Sequence, residues 1–268
     1  MEKLKMIIWC GLILFPLLSY AQKGKSGSRI GFEMGFHEFF GNTIVPDRVR
    51  TIKTVEVYET DFLGDYYYGG YQDQSNHAIS KLYLGIKYEV LFSNNTIGIA
   101  SGLRFSELSA TLDHSKRYDA FTWLLYQEEQ ASDYLTIRSI KQKNHYVSVP
   151  LEVRVFPKKR DKVFKHYLKI GGAMNYRFST GYNIDFQDNN MKKHASLVGS
   201  QISKPCTFSG FVFPAFGLRW GRNDNPWFNV EFQFPGFIIA ERKHAFVEPE
   251  IGFGMQISYQ IPLTKKTN

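Results

Sequence analysis

The sequence predicts an all-β protein, an eight-stranded antiparallel up-and-down transmembrane β-barrel. Three observations point there. Apolar residues alternate with other residues over eight separate stretches, the period of a strand with two unlike faces. The connections between those stretches run long, short, long, short, as in a barrel with tight turns at one end and large loops at the other. The second face of the stretches is built of glycines and of charges of both signs, which suits a narrow polar lumen.

The elements follow in order. MEKLKMIIWCGLILFPLLSYAQ opens with Lys3 and Lys5, an apolar run from Met6 to Leu18, and small residues at Ser19 and Ala21. This is the pattern of a cleaved signal peptide over 1–21, and the run is shorter than the ~20 apolar residues of a spanning helix. Residues 22–28 read as a flexible lead-in, 29–263 as the barrel domain and 264–268 as a periplasmic tail. Past the leader one cysteine remains, Cys206, which excludes an intrachain disulfide.

The first strand is RIGFEMGFHEFF (29–40), with Ile30, Phe32, Met34 and Phe36 on one face. The second is KLYLGIKYEVLF (81–92) and the third TIGIASGLRFSEL (96–108). The fourth, YVSVPLEVRVFP (146–157), places Val147, Val149, Leu151, Val153 and Val155 on one face. The fifth is FKHYLKIGGAMNYRFSTGY (164–182), the sixth FSGFVFPAFGLRW (208–220), the seventh PWFNVEFQF (226–234) and the eighth PEIGFGMQISYQIP (249–262). The loops at 41–80 and 109–145 are themselves strand-like, so strands are expected to extend above the membrane. A two-residue turn at Asn94-Asn95 sets Val90 opposite Ile99 and Glu89 opposite Ala100. Pro150 cannot donate a ladder hydrogen bond, so a bulge is expected there. Gly172 interrupts the apolar face and reads as a second bulge.

Alternation alone does not say which face looks inward. The second face decides it. It carries Gly31, Gly35, Gly85, Gly98, Gly102, Gly171, Gly217, Gly252 and Gly254. With them stand Glu33, Lys87, Glu89, Arg104, Glu152, Arg154, Lys169, Arg177, Arg219, Glu231 and Glu250. Glycines weaken strands, and here they make room for long ion-pairing side chains in a closed interior. These eleven residues are the expected lumen network, and the aliphatic face looks to lipid. Of the aromatics near the short turns, Trp220 is directed to lipid by parity, and Trp227 and Phe156 are not.

YVSVPLEVRVF, a short basic turn and YLKIGGAMNYRF together resemble the small outer-membrane β-barrel proteins of Bacteroidota, the PorT-like family. The matching residues are Tyr146, Pro150 and Leu151, then Gly171 and Gly172; the ends AQ (Ala21-Gln22) and IGFGMQISYQI also look like that group. The resemblance implies an outer-membrane location with both mature termini periplasmic. It also implies a part in an envelope complex, with protein secretion the role of the family's named member.

The formal charge is +8, but Lys and Arg are scattered over turns and loops, which points to acidic lipid headgroups rather than nucleic acid. The seven histidines show no metal-ligand spacing, and no cofactor is expected. By parity His145 faces lipid near the outer rim, Ser148 faces inward and Ser101 faces lipid nearer mid-membrane, so no Ser-His-acid site can be drawn. The expected function is a non-catalytic barrel that anchors or scaffolds an envelope complex. A small pore is the alternative and a lipid A-modifying enzyme the third reading. Outer-membrane lipid and envelope or secretion proteins are the expected partners.

Overall fold

The computed structural model describes residues 27–43, 49–51, 59–60, 66–67, 75–92, 96–114, 121–124, 134–157, 163–202, 204–222, 224–240 and 247–263. The leader, the tail at 264–268 and the Asn94-Asn95 turn lie outside them. The strands are β1 (Ser28–Thr43), β2 (Val49–Thr51), β3 (Glu59–Thr60), β4 (Tyr66–Tyr67), β5 (Ser75–Phe92) and β6 (Ile97–His114). They continue with β7 (Phe121–Leu124), β8 (Tyr134–Val155), β9 (Phe164–Phe186), β10 (Phe208–Trp220), β11 (Trp227–Ala240) and β12 (Val247–Pro262). Eight of them, β1, β5, β6, β8, β9, β10, β11 and β12, pair antiparallel with their neighbours in chain order, and β12 pairs back on β1. The ring is closed, so it has no free edge.

The outer face confirms the alternation. Phe32, Leu84, Leu103, Leu151, Ile170, Phe232 and Phe253 are all exposed, and Ile170 keeps 68% of its surface. Side chains so apolar, encircling the whole barrel, do not suit water. They form the outward band of a membrane-spanning barrel. Trp220 faces out, and Trp227 and Phe156 are buried inside. The register also agrees, with Val90 opposite Ile99 and Glu89 opposite Ala100.

Two expectations fail. No register shift occurs at Pro150, which sits opposite Ala173, nor at Gly172, which sits opposite Leu151 and Val212. The Ser101 hydroxyl instead donates to the Pro150 carbonyl at 2.7 Å, giving that acceptor a side-chain partner on β6. Gly172 is accommodated as a short side-chain position in the belt. The bulges lie elsewhere. β11 carries an extra residue between Gln233 and Gly236, at Phe234-Pro235, where a proline costs the ladder nothing. β12 carries one at Glu250, β8 at Arg138 and β9 at Phe178.

The strands also run further than the alternation shows. β8 and β9 hold 22 and 23 residues, where ~9–11 would span a bilayer. At ~3.3 Å per residue and ~45° tilt they rise about 50 Å, roughly twice the ~25 Å apolar band. Extension above the membrane is what the strand-like stretches at 41–80 and 109–145 lead one to expect, and the bulge at Phe178 obscures only which face looks inward there. Before it the even-numbered residues of β9 point outward; after it Ile184 and Phe186 are buried inside. Even positions remain mostly apolar past the bulge, through Tyr182, Ile184 and Phe186, but their face changes. Above the belt Ile79, Leu112, Ile137, Ile140, Ile184 and Phe186 form an apolar core. The connection from β9 to β10 adds a 3-10 turn (Asn189–His194) and a short helix, α1 (Ala195–Gln201), whose Val198 joins that core together with Ile202.

Candidate functional site

The lumen within the belt is a packed ion-pair network. Its centre is two carboxylates on opposite parts of the wall, Glu33 of β1 and Glu152 of β8. Lys87 Nζ lies 2.6 Å from Glu33 Oε2 and 2.7 Å from Glu152 Oε2. Arg104 bridges the same two groups through Nε and Nη2. Lys169 joins Glu152, at 3.2 Å, to Glu231. Arg154 joins Glu231, at 2.6 Å, to Glu89, at 3.0 Å. Four cations, Lys87, Arg104, Arg154 and Lys169, thus meet four carboxylates, Glu33, Glu89, Glu152 and Glu231. All are buried, and Lys87, Glu89, Glu152, Arg154 and Glu231 have no accessible surface. Charges taken out of water at this depth require such pairing, with hydrogen bonds to the remaining oxygens.

Neutral groups supply several of those bonds. Gln256 donates to Glu33 at 2.9 Å, Gln260 to Glu89 at 2.8 Å and Tyr167 to Glu231 at 2.6 Å. Tyr83 donates to Gln256 at 2.8 Å, and Gln233 donates to Tyr83 at 3.0 Å. The sequence reading passed over these five because it took only charges and glycines from the inward face. Parity was the available signal, since Gln256 and Gln260 share the inward register of Gly254.

The lumen glycines are spaces for these large groups. A Cβ on Gly35 would collide with the Tyr83 ring, one on Gly217 with Tyr167, one on Gly171 with Phe213 and one on Gly252 with Phe39. On Gly98 it would meet the Glu89 carboxylate.

Aromatic layers close the network at both ends. Toward the short turns, the guanidinium carbons of Arg29 and Arg219 stand over the Trp227 ring at 3.4 and 3.6 Å, within cation–π range. Phe156 and Tyr167 pack beside them, 5.1 Å apart. Toward the long connections His37 lies among Tyr83, Phe211 and Phe213, with Phe211 edge-on at 4.8 Å. Beyond it lies the apolar core.

Of the eleven expected residues, the eight of the network come together, and Arg219 lies in the aromatic layer below. Arg177 does not join. It is half-buried at the rim and donates to the Pro205 carbonyl at 3.1 Å and to Thr180 at 2.7 Å. The backbone of Glu250 forms the β12 bulge, and its side chain lies outside the described residues. His145 turns outward beside Glu107, and Ser148 turns inward to Asn175 at 2.7 Å. Among the described residues no group of three or more His, Cys, Asp or Glu could hold a metal ion.

No protein-family model matches the chain, and no curated protein matches it. Among solved structures it is similar to the outer membrane protein OprG from Pseudomonas aeruginosa, with a TM-score of 0.37 and 13% identity over 88% of this chain and 93% of that one. The fold rests on the closed ladder of strand pairings: the protein is an eight-stranded antiparallel β-barrel with an apolar outer belt.

Proposed function

We propose that the chain is a non-catalytic outer-membrane barrel, exported by its leader with both mature termini in the periplasm, that anchors or scaffolds an envelope complex. The observation that carries this reading is the filled lumen. An eight-stranded barrel is only wide enough for side chains to fill, and here a neutralised network is closed by an aromatic layer at each end. A solute path would have to part the bridges by which four buried cations hold four buried carboxylates. The long strands support the same reading, because they carry α1 and the 3-10 turn before it well clear of the belt. Protein secretion is the class of complex that the sequence resemblance favours. Lipid and envelope proteins are the partners, and no cofactor takes part.

Two measurements test this. Purified protein in a planar bilayer should give no conductance steps, and reproducible steps would establish a pore instead. A mild-detergent pull-down of the tagged chain from its native membrane should return a stoichiometric envelope partner. A partnerless monomer would count against the scaffold.

A further inference from the structure

On the outer wall, just above the belt, β8 carries Arg138, Lys141 and Lys143, with His145 at the boundary and Val147 directly beneath. Lys143 Nζ lies 3.1 Å from Glu107 Oε1, and its side chain remains 44% exposed. That contact occupies one of its three donors. His145 stacks between Phe105 and Phe178, its ring centroid 6.0 and 6.1 Å from theirs. Across the strand pair, Lys143 faces Gly181 and Lys141 faces Asn183. The space over Gly181 is open, and a Cβ there would meet nothing within 4 Å. One rung higher Asp185 faces Ser139, beyond the two lysines. Among the described residues nothing covers the resulting shelf, which has lysines along one side and aromatic rings at its base. The aliphatic face of Val147, Val149 and Leu151 continues straight down from it. Elsewhere the rim differs: on β1 the outward residues at this height are Glu38 and Phe40.

We propose that this shelf binds the phosphorylated headgroup of a lipid in the leaflet at the long-connection end, with its acyl chains lying along β8 and β9. The proposal rests on the membrane-barrel reading. Charge and continuity select the occupant. A phosphate offers the acceptors that Lys141 and Lys143 lack, and a lipid is the one ligand that also covers the aliphatic strip below. Near a membrane surface, basic side chains attract anionic headgroups, and here two of them share one open site.

Native mass spectrometry of the full chain released from micelles tests this, with diphosphorylated lipid A and the same lipid dephosphorylated as probes. The wild type should retain one phosphorylated lipid per barrel and little of the dephosphorylated form. The K141Q/K143Q variant should retain at least roughly 10-fold less, as expected for two lost charge-assisted hydrogen bonds. K192Q/K193Q, exposed on the 3-10 turn, should behave as wild type. Equal retention of the two lipids by the wild type would overturn the proposal without any variant. So would undiminished retention by K141Q/K143Q with heat-modifiable gel migration intact. Failure of the wild type to insert into vesicles would overturn the barrel reading as well, and so separates the two.

Discussion

Within the belt, β8 turns Val147, Val149, Leu151, Val153 and Val155 outward and Ser148, Glu152 and Arg154 inward. A few residues earlier, the same strand turns Lys141 and Lys143 outward and Ile140 inward. Nothing in the backbone changes between them, since the parity of β8 is unbroken from Ser139 to Val155. The lower barrel is polar inside and apolar outside, and the upper barrel is the reverse. The exchange therefore marks a change of solvent along one continuous wall. Below His145 the outside meets hydrocarbon; above it, water and headgroups. The interior follows by necessity, because the upper barrel has the ordinary hydrophobic effect to hold it. The lower one has a face-out apolar surface that contributes nothing to its core.

This contrast can be broken from the inside first. Glu152 touches four cations, Lys87, Arg104, Lys169 and Arg154. Glu152→Ala should lower stability by ~3–5 kcal/mol, because it strands buried charge. Urea unfolding from vesicles would measure it, and a loss below ~1 kcal/mol would mean that water reaches the network. In the upper core, Leu112→Ala should cost ~2–5 kcal/mol by the separate route of a cavity. Its effect should be independent of ionic strength. Leu112→Val should cost only a fraction of the alanine variant's loss, and a loss equal to that of Leu112→Ala would mean that the site does not respond to the volume removed.

The outer boundary is tested next. Leu151→Arg should cost ~2–4 kcal/mol, the value for a cation at mid-membrane depth. Ser80→Arg, outward above the belt and opposite Glu38, should fall within ~0.5 kcal/mol of wild type. Equal effects at the two sites would remove the solvent boundary from between them.

The lower half was legible because each strand there obeys one rule from end to end. The aliphatic run at Val147–Val155 and the glycine-and-charge face opposite it carry both the fold and the network. Gln256, Tyr83 and Tyr167 were equally placed by parity. What hid them was chemistry, since a neutral amide or phenol on an inward face looks like filler until carboxylates surround it. The upper extension of the strands was legible in the strand-like stretches at 41–80 and 109–145, but bulges hid which of its faces looks inward. Arg138 shifts the inward set from Leu135 and Ile137 to Ile140, and Phe178 shifts it to Ile184 and Phe186. A fixed-period reading either stops at such a residue or follows the apolar set to the wrong side. The same limit placed bulges at Pro150 and Gly172. A proline signals a missing donor, yet the ladder keeps its register at Pro150, whose own carbonyl accepts from Ser101 on β6.

The smallest effect gives the sharpest view of the boundary. Lys143 and Glu107 form an ion pair of the same chemistry as Lys87 and Glu152, at 3.1 Å against 2.7 Å. The upper pair is outside and solvated, and the lower is sealed in the lumen. A double-mutant cycle on Glu107 and Lys143 should give a coupling of only ~0.2–1 kcal/mol, falling further in 1 M salt, where the Debye length is ~3 Å. The cycle on Glu152 and Lys87 should give a larger coupling that salt does not change. A salt-insensitive coupling for the upper pair would mean that this rim is buried against something in the membrane. The distinction between a wet outer wall and a dry inner one would then have to be redrawn higher up β8.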